Sequence, residues 1–285
     1  MPYNKTRLSP FSLSRLFVPG ISPNKVAAAS ALWFVFHNDG LLVQQGEGGE
    51  ITLNSTPPLQ LGFSAEFSLY IGTYDGVDIY AAELSKPVAL PETLYFKRLR
   101  TLFGKIDGEI FALAGRAIQI IHWNRDHKFC GRCGSEMKNR TKEIAKICPA
   151  CKFISFPRLS PAVIMSVVRK NEILLARSPR FPAGMYSTLA GFVEPGETLE
   201  ETVAREVREE VNVEICNISY VGSQPWPFPH SLMIGFSANY ASGDIRVDNN
   251  EIEDAQWFSK NNMPLLPTRM SIARHLIELF IKSGR

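Results

Sequence analysis

The 285-residue sequence predicts an α/β protein: a small N-terminal α/β domain, then a four-cysteine ribbon, then an α/β/α sandwich. Three observations predict it. Short apolar runs separated by turn residues fill the first part. Two Cys-x2-Cys pairs follow, Cys130/Cys133 and Cys148/Cys151. After them, strand-like runs surround one strongly patterned helix that starts after Thr198, a mixture that suits layers of helix on sheet. The expected boundaries are 1–122, 123–157 and 158–285.

In the first part, Ala31–His37, Leu41–Gln45, Ala65–Thr73 and Val77–Leu84 read as strands, with turn residues Asn38-Asp39-Gly40 and Asp75-Gly76 between them. Pro91–Phe103 and Gly108–Trp123 read as helices. No chemical motif marks this region.

The ribbon comes next. Fourteen residues separate the two cysteine pairs, and they are too polar to build a core of their own. Four thiolates at this spacing close a tetrahedral site around Zn²⁺, and the metal supplies the missing folding free energy. Such a site has no open position, so one structural zinc per chain is expected. From His122 to Arg158 nine Lys or Arg face three acids, so the ribbon is locally basic.

The third part opens with Ala162–Arg169 and Asn171–Arg177 as a hairpin turning at Lys170-Asn171, and Met185–Ala190 as a further strand. Thr198 and Glu201 have the spacing of a capping box. Leu199, Val203, Val207 and Val211 recur every four residues and give the helix an apolar stripe. Off that stripe stand Glu206, Glu209 and Glu210, at i, i+3 and i+4, and so on one face. Like charges so placed repel unless a cation neutralises them, and carboxylate oxygens suit Mg²⁺ or Mn²⁺. Asn212 stands where the helix should end in a left-handed turn. Val213–Val221, Leu232–Tyr240 and Ala255–Phe258 read as strands, and Met270–Lys282 as a closing helix. Cys216, alone in its run, reads as a small buried hydrophobe. Between two of these strands, Ser223-Gln224-Pro225-Trp226-Pro227-Phe228-Pro229-His230-Ser231 carries three prolines at alternate positions, which forbid a helix and favour an extended loop.

The pattern Gly191-x5-Glu197-x7-Arg205-Glu206-Val207-x-Glu209-Glu210-x-Asn212-Val213 resembles the Nudix box, with Asn212 where the family has Gly. Asn tolerates a positive φ better than most residues, so the turn should survive. With the cysteine quartet and the Ser223–Ser231 motif, the chain resembles the NADH pyrophosphatase subfamily of Nudix hydrolases. The motif-bearing resemblance runs over residues 95–285; the first ninety match only in size and position. It implies cleavage of the pyrophosphate of NAD(H) to nicotinamide mononucleotide and AMP, removal of NAD caps from RNA 5′ ends, and a homodimer using Mg²⁺ or Mn²⁺ for chemistry and Zn²⁺ for structure. It implies that Glu206, Glu210, Glu251 and the Ala190 carbonyl hold the catalytic metal, with Glu209 in the same cluster and Arg205 orienting a glutamate, Glu197 being its candidate partner. It implies substrate contacts at Phe192, Phe156, Glu143, Gln224, Pro225, Trp226, Pro227, Phe228, Pro229, His230, Ser231 and Ala273. Phe156-Pro157-Arg158 departs from the family's Tyr-Pro-Arg and gives up a hydroxyl.

Composition excludes little else. The net charge of +3 is too small to point by itself to a nucleic-acid or membrane partner. No apolar run is long enough to span a membrane, and the N-terminus lacks a signal-peptide core, so a cytoplasmic protein is expected. Two other readings are open: a Nudix enzyme for ADP-ribose or another nucleoside diphosphate derivative, and a non-catalytic zinc-ribbon protein that binds RNA. The intact glutamates speak against the second, and the aromatic-proline motif against the first.

Overall fold

A computed structural model describes residues 16–23, 31–84, 89–247 and 250–283. The chain divides into two compact units: one runs up to Arg158 and takes in Pro227–His230, and the other comprises Leu159–Trp226 and the residues from Ser231 onward. No helix among the described residues is long and apolar enough to cross a membrane.

The first unit holds β1 (Phe17–Pro19), β2 (Ala31–His37), β3 (Gly40–Gln45), β4 (Ile51–Leu53), β5 (Phe67–Tyr74), β6 (Val77–Glu83) and β7 (Leu94–Arg98) in one mixed sheet. Its order is β1-β5-β6-β2-β3-β4, with β7 on β3 and a parallel pair at β2–β6. Helix α1 (Gly108–Asp126) packs against β6 and β2, and the Asp107 side chain caps it, accepting from the backbone N–H groups of Glu109 and Ile110. The expected helix over Pro91–Phe103 does not form. Leu94-Tyr-Phe favours strand, and β3 offers an open edge along Gly40–Gln44, so β7 pairs there, and a short 3-10 turn at Leu99–Leu102 buries two leucines.

The ribbon is a three-stranded antiparallel sheet of β8 (Lys138–Asn139), β9 (Lys146–Ile147) and β10 (Ile154–Ser155). It is joined to α1 by buried polar bonds. The Lys146 ammonium donates to the Asn124 and His127 carbonyls at 2.8 and 3.1 Å, and the Trp123 indole donates to the Ser155 hydroxyl. Burial depresses the Lys146 pKa, but two carbonyls at a helix C-terminus suit a cation.

The second unit is the α/β/α sandwich. Its strands are β11 (Ser160–Arg169), β12 (Glu172–Arg177), β13 (Leu189–Phe192), β14 (Glu214–Trp226), β15 (Ser231–Ser242) and β16 (Asp254–Ser259). They run β14-β15-β11-β12-β16, with β13 on β11; β11 and β15 are parallel. Alternation along the strands makes two cores. Val163, Met165, Val167, Leu174 and Ala176 face the buried valines of α2 (Leu199–Val211). Ile164, Ile173 and Leu175 face the other way, toward Leu276, Ile277 and Phe280 of α3 (Ile272–Lys282). Strands buried on both faces read as continuous apolar runs, which is how Ala162–Val168 reads.

Three local expectations are corrected here. The strand expected at Met185–Ala190 lies at Leu189–Phe192; before it, Met185 and Ser187 make only isolated bridges. Ser223–Trp226 is no loop but the end of β14, paired with Ser231–Ile234. Pro225 has no N–H to give, and β14 tolerates it as the edge strand. Only Pro227–His230 turns, with a cis peptide bond before Pro229. Cys216 is exposed rather than buried, because register shifts along β14 turn it outward beside Asn217 at φ 53°.

Candidate active site

Helix α2 is fixed at both ends by its own residues. Thr198 and Glu201 complete the reciprocal capping box. Asn212 takes φ 57° and ψ 36°, closing the helix by a bond from its N–H to the Arg208 carbonyl, and its amide donates to the Asp244 carbonyl at 3.2 Å. The Asn therefore does the work expected of Gly. Val203, Val207 and Val211 are fully buried, which sets the rotation of the helix and hence where its glutamates stand.

That rotation separates the three glutamates. Glu206 and Glu210 are buried, at 9% and 6% exposure, whereas Glu209 stands at the rim. The Glu206 carboxylate lies against the backbone of Gly191 on β13: a Cβ there would fall 1.8 Å from Glu206 Cδ. Gly191 is thus required for close approach, not for a positive φ; Gly196, at φ 97°, is the residue that needs backbone freedom in this loop.

Arg205 holds the cluster together. Its guanidinium bonds Glu197 through two nitrogens, at 2.5 and 3.0 Å, Glu206 at 2.9 Å, Glu209 at 2.9 Å, and the Phe192 carbonyl at 3.0 Å. The Arg205 guanidinium holds the Glu197 carboxyl down to about 2, with help from the Glu194 N–H. Burial pushes the Glu206 carboxyl above its usual range; Arg205 pulls it back, and the charges of Glu209 and Glu251 add to the rise. Glu251, exposed on the lead-in to β16, is thereby within electrostatic reach of Glu206. Asp248 and Asn249, just before it, and the first fifteen residues of the chain lie outside the described residues.

The remaining expected residues are spread over both units. In the second unit, Phe192 is 60% exposed. Ala190 and Ala273 pack against each other's neighbours in the core beside α3. Gln224 is fully buried; its amide donates to the Met270 carbonyl at 2.8 Å and accepts from the Ile272 N–H at 2.6 Å, tying β14 to the start of α3. Pro225 is exposed, Trp226 half-buried and Ser231 buried. In the first unit, Phe156 is 55% exposed, Glu143 pairs with Arg140 at 2.7 Å, and Phe228 lies under the Arg100 guanidinium at 5.6 Å. Pro227 is buried, Pro229 exposed and His230 half-buried. Sequence reasoning missed the Gln224 tie, since a contact across such a chain separation leaves no local signal.

Among the described residues, the four cysteines are the group whose metal-binding atoms gather within 4.8 Å. Their sulfurs stand 3.6 Å (Cys130–Cys151) and 3.5 Å (Cys133–Cys148) apart. A disulfide needs about 2.05 Å, and a tetrahedral zinc with ~2.3 Å bonds sets sulfurs about 3.8 Å apart. The quartet therefore fits zinc. Knuckle N–H groups of Arg132 and Cys151 donate to the sulfurs of Cys130 and Cys148 at 3.4 Å. The carboxylates of α2 do not gather so closely, since Arg205 takes an oxygen of both Glu206 and Glu209. Their donor set is all oxygen, with two of its members buried, and this fits a hard divalent cation.

Known proteins resemble the chain in each of its parts. Residues 158–280 match the NUDIX domain, residues 30–123 the NADH pyrophosphatase-like rudimentary NUDIX domain, and residues 125–156 the NADH pyrophosphatase zinc ribbon domain. A Stutzerimonas stutzeri protein named NAD-capped RNA hydrolase NudC is 53% identical over 211 residues, covering 74% of this chain and 76% of its own length. A Pseudomonas aeruginosa protein of the same name is 51% identical over the same shares. A Nudix hydrolase structure from Nitrosomonas europaea covers 55% of this chain and 92% of its own at 23% identity, with a TM-score of 0.48. The chain belongs to the Nudix hydrolases, in the NADH pyrophosphatase subfamily that carries a zinc ribbon.

Proposed function

We propose that the protein hydrolyses the pyrophosphate of NAD(H) to nicotinamide mononucleotide and AMP, and removes NAD caps from RNA 5′ ends. The observation that carries the chemistry is the pair of buried carboxylates on α2, Glu206 and Glu210, the first of them lying against the Gly191 backbone. The names of the half-identical relatives point to the substrate.

Glu206, Glu210, Glu251 and the Ala190 carbonyl hold Mg²⁺ or Mn²⁺ in this reading, with Glu209 at the rim of the cluster. A cation held there supplies charge neutralisation for the diphosphate and acidifies a water. Arg205 offsets part of the cost of burying the Glu206 charge and fixes the direction of that side chain; it orients and need not touch substrate. Phe192 presents an exposed ring for stacking on nicotinamide or adenine, worth about 1–3 kcal/mol per base. Phe156, though without the family's hydroxyl, presents another. Ala273, Pro225, Trp226, Ser231, Glu143 and Pro227–His230 complete the expected contacts, and Gln224 contributes by placing the start of α3. Three parts, 1–122, 123–157 and 158–285, a homodimer and a cytoplasmic setting belong to the same proposal.

The test is a substrate panel of NADH, NAD⁺, ADP-ribose and NAD-capped RNA with Mg²⁺ or Mn²⁺. NAD(H) and capped RNA should be cleaved in preference to ADP-ribose; the reverse order would move the protein to another Nudix activity. Glu210→Gln should lower turnover by at least about a hundredfold, a large share of what one charged group supplies, and leave the melting curve unchanged. Near-normal turnover would remove Glu210 from the site.

A further inference from the structure

The segment that carries Glu251 is held by groups outside every motif above. Ile252 is buried in the α2 core. Glu253, the next residue, donates its N–H to the Arg177 carbonyl at 2.9 Å, and its carboxylate pairs with the Arg177 guanidinium. Arg177 is the last residue of β12. Its other arm donates to the carbonyls of Pro182 at 2.6 Å and Phe181 at 3.4 Å. One side chain therefore ties together two connections: the lead-in to β16, which bears Glu251, and the link that follows β12, at Phe181 and Pro182. The Arg177 side chain is 18% exposed, so its bonds are partly shielded from water. Beyond it, the Tyr186 hydroxyl donates to Asp254 and anchors the start of β16.

We propose that Arg177 is a positioning residue for the cation site, acting through Glu253 to fix where Glu251 stands relative to Glu206. This rests on the reading of Glu251 and Glu206 as cation ligands. Carboxylates brought near one another repel, and Glu251 sits on an exposed segment; an unanchored segment would relax away from the cluster. Ile252 holds one side of that segment in the core, and the Arg177–Glu253 pair fixes the other. The cation affinity of the site then depends on a side chain that touches no ligand of it except through the chain.

Mn²⁺ binding to the full-length, zinc-loaded protein, titrated by EPR without substrate, tests this. Arg177→Ala and Glu253→Gln should each weaken Mn²⁺ binding about tenfold, the lower end of what outer partners of metal ligands contribute. Arg177→Lys should restore part of the loss. Glu251→Gln should weaken binding, and adding Arg177→Ala to it should cost nothing more. If Glu251→Gln binds Mn²⁺ normally, the ligand reading of Glu251 fails and the proposal with it. If Glu251→Gln weakens binding while Arg177→Ala and Glu253→Gln do not, the ligand reading stands and the positioning role is wrong. Equal losses from Arg177→Ala in both backgrounds would also overturn it, since the effect would not pass through Glu251. Should Arg177→Ala melt early, Glu253→Gln carries the test alone.

Discussion

Replacing Gly191 by Ala should strike Glu206 and little else. The added methyl would sit 1.8 Å from Glu206 Cδ, where ordinary contact begins at 3.4 Å, so the carboxylate must retreat by about 1.6 Å. The backbone at Gly191 is not left-handed, so alanine strains nothing there and removes some freedom from the unfolded chain. Misplacement of a ligand by about 1 Å can cost about a hundredfold in rate, or about 2.7 kcal/mol at 1.36 kcal/mol per factor of ten. Turnover of NADH by Gly191→Ala should therefore fall at least that far, while its melting temperature moves by only a few degrees. A second substitution sharpens the case. Glu206→Asp shortens the side chain by one C–C bond, about 1.5 Å, which is close to the retreat the methyl demands. The double variant G191A/E206D should be faster than the product of the two single losses predicts. Turnover in Gly191→Ala within a few-fold of the unaltered protein would refute the reasoning, and so would simple multiplication of the two defects.

The zinc site gives a stability prediction. Cys148 is fully buried and its sulfur is 3.5 Å from that of Cys133, so Cys148→Ser should lose the metal by elemental analysis and lower the melting temperature; an unchanged melt without zinc would contradict a structural role. Acid gives another. The Arg205 pair holds the Glu197 carboxyl at about 2 in the fold against 4.5 for a free glutamate side chain, so its stabilising share is present above pH 4.5 and is lost as pH falls toward 2. Arg205→Ala should remove that share of the acid dependence; a melting profile between pH 5 and 2 that matches the unaltered protein's would show that the pair contributes nothing.

What the sequence reveals and what it hides divide along a physical line. The α2 caps at Thr198 and Asn212, the valine stripe and the cysteine knuckles are all made by residues within a turn or two of one another, so spacing alone exposes them. Arg205 and Glu197 are eight residues apart, still close enough to pair on paper. The failures come where a distant partner decides. Leu94–Arg98 becomes strand because β3 has a free edge, and Ser223–Trp226 becomes strand because β15 does. Cys216 faces outward because bulges in β14 shift its register, and no composition rule reports a bulge. Gln224 looks like part of a surface motif and is instead the buried pin of α3.

The same line runs through the candidate site. Glu206 and Glu210 come from one helix whose acidic spacing is visible in the chain, while Glu251 comes from the far side of β15. Their placement comes from elsewhere: the bare Cα of Gly191 makes room for one carboxylate, Gln224 sets α3 against the core that includes Ala190, and Arg177 ties down the approach to Glu251. Loss of a ligand removes a charge the reaction needs, whereas loss of a placing residue leaves every charge present and moves it. The two kinds of variant should therefore differ in kind. A ligand variant should stay slow at any cation concentration, and a placing variant should recover as the cation is raised. That contrast follows from where each residue sits in the fold, and it separates chemistry from geometry in one titration.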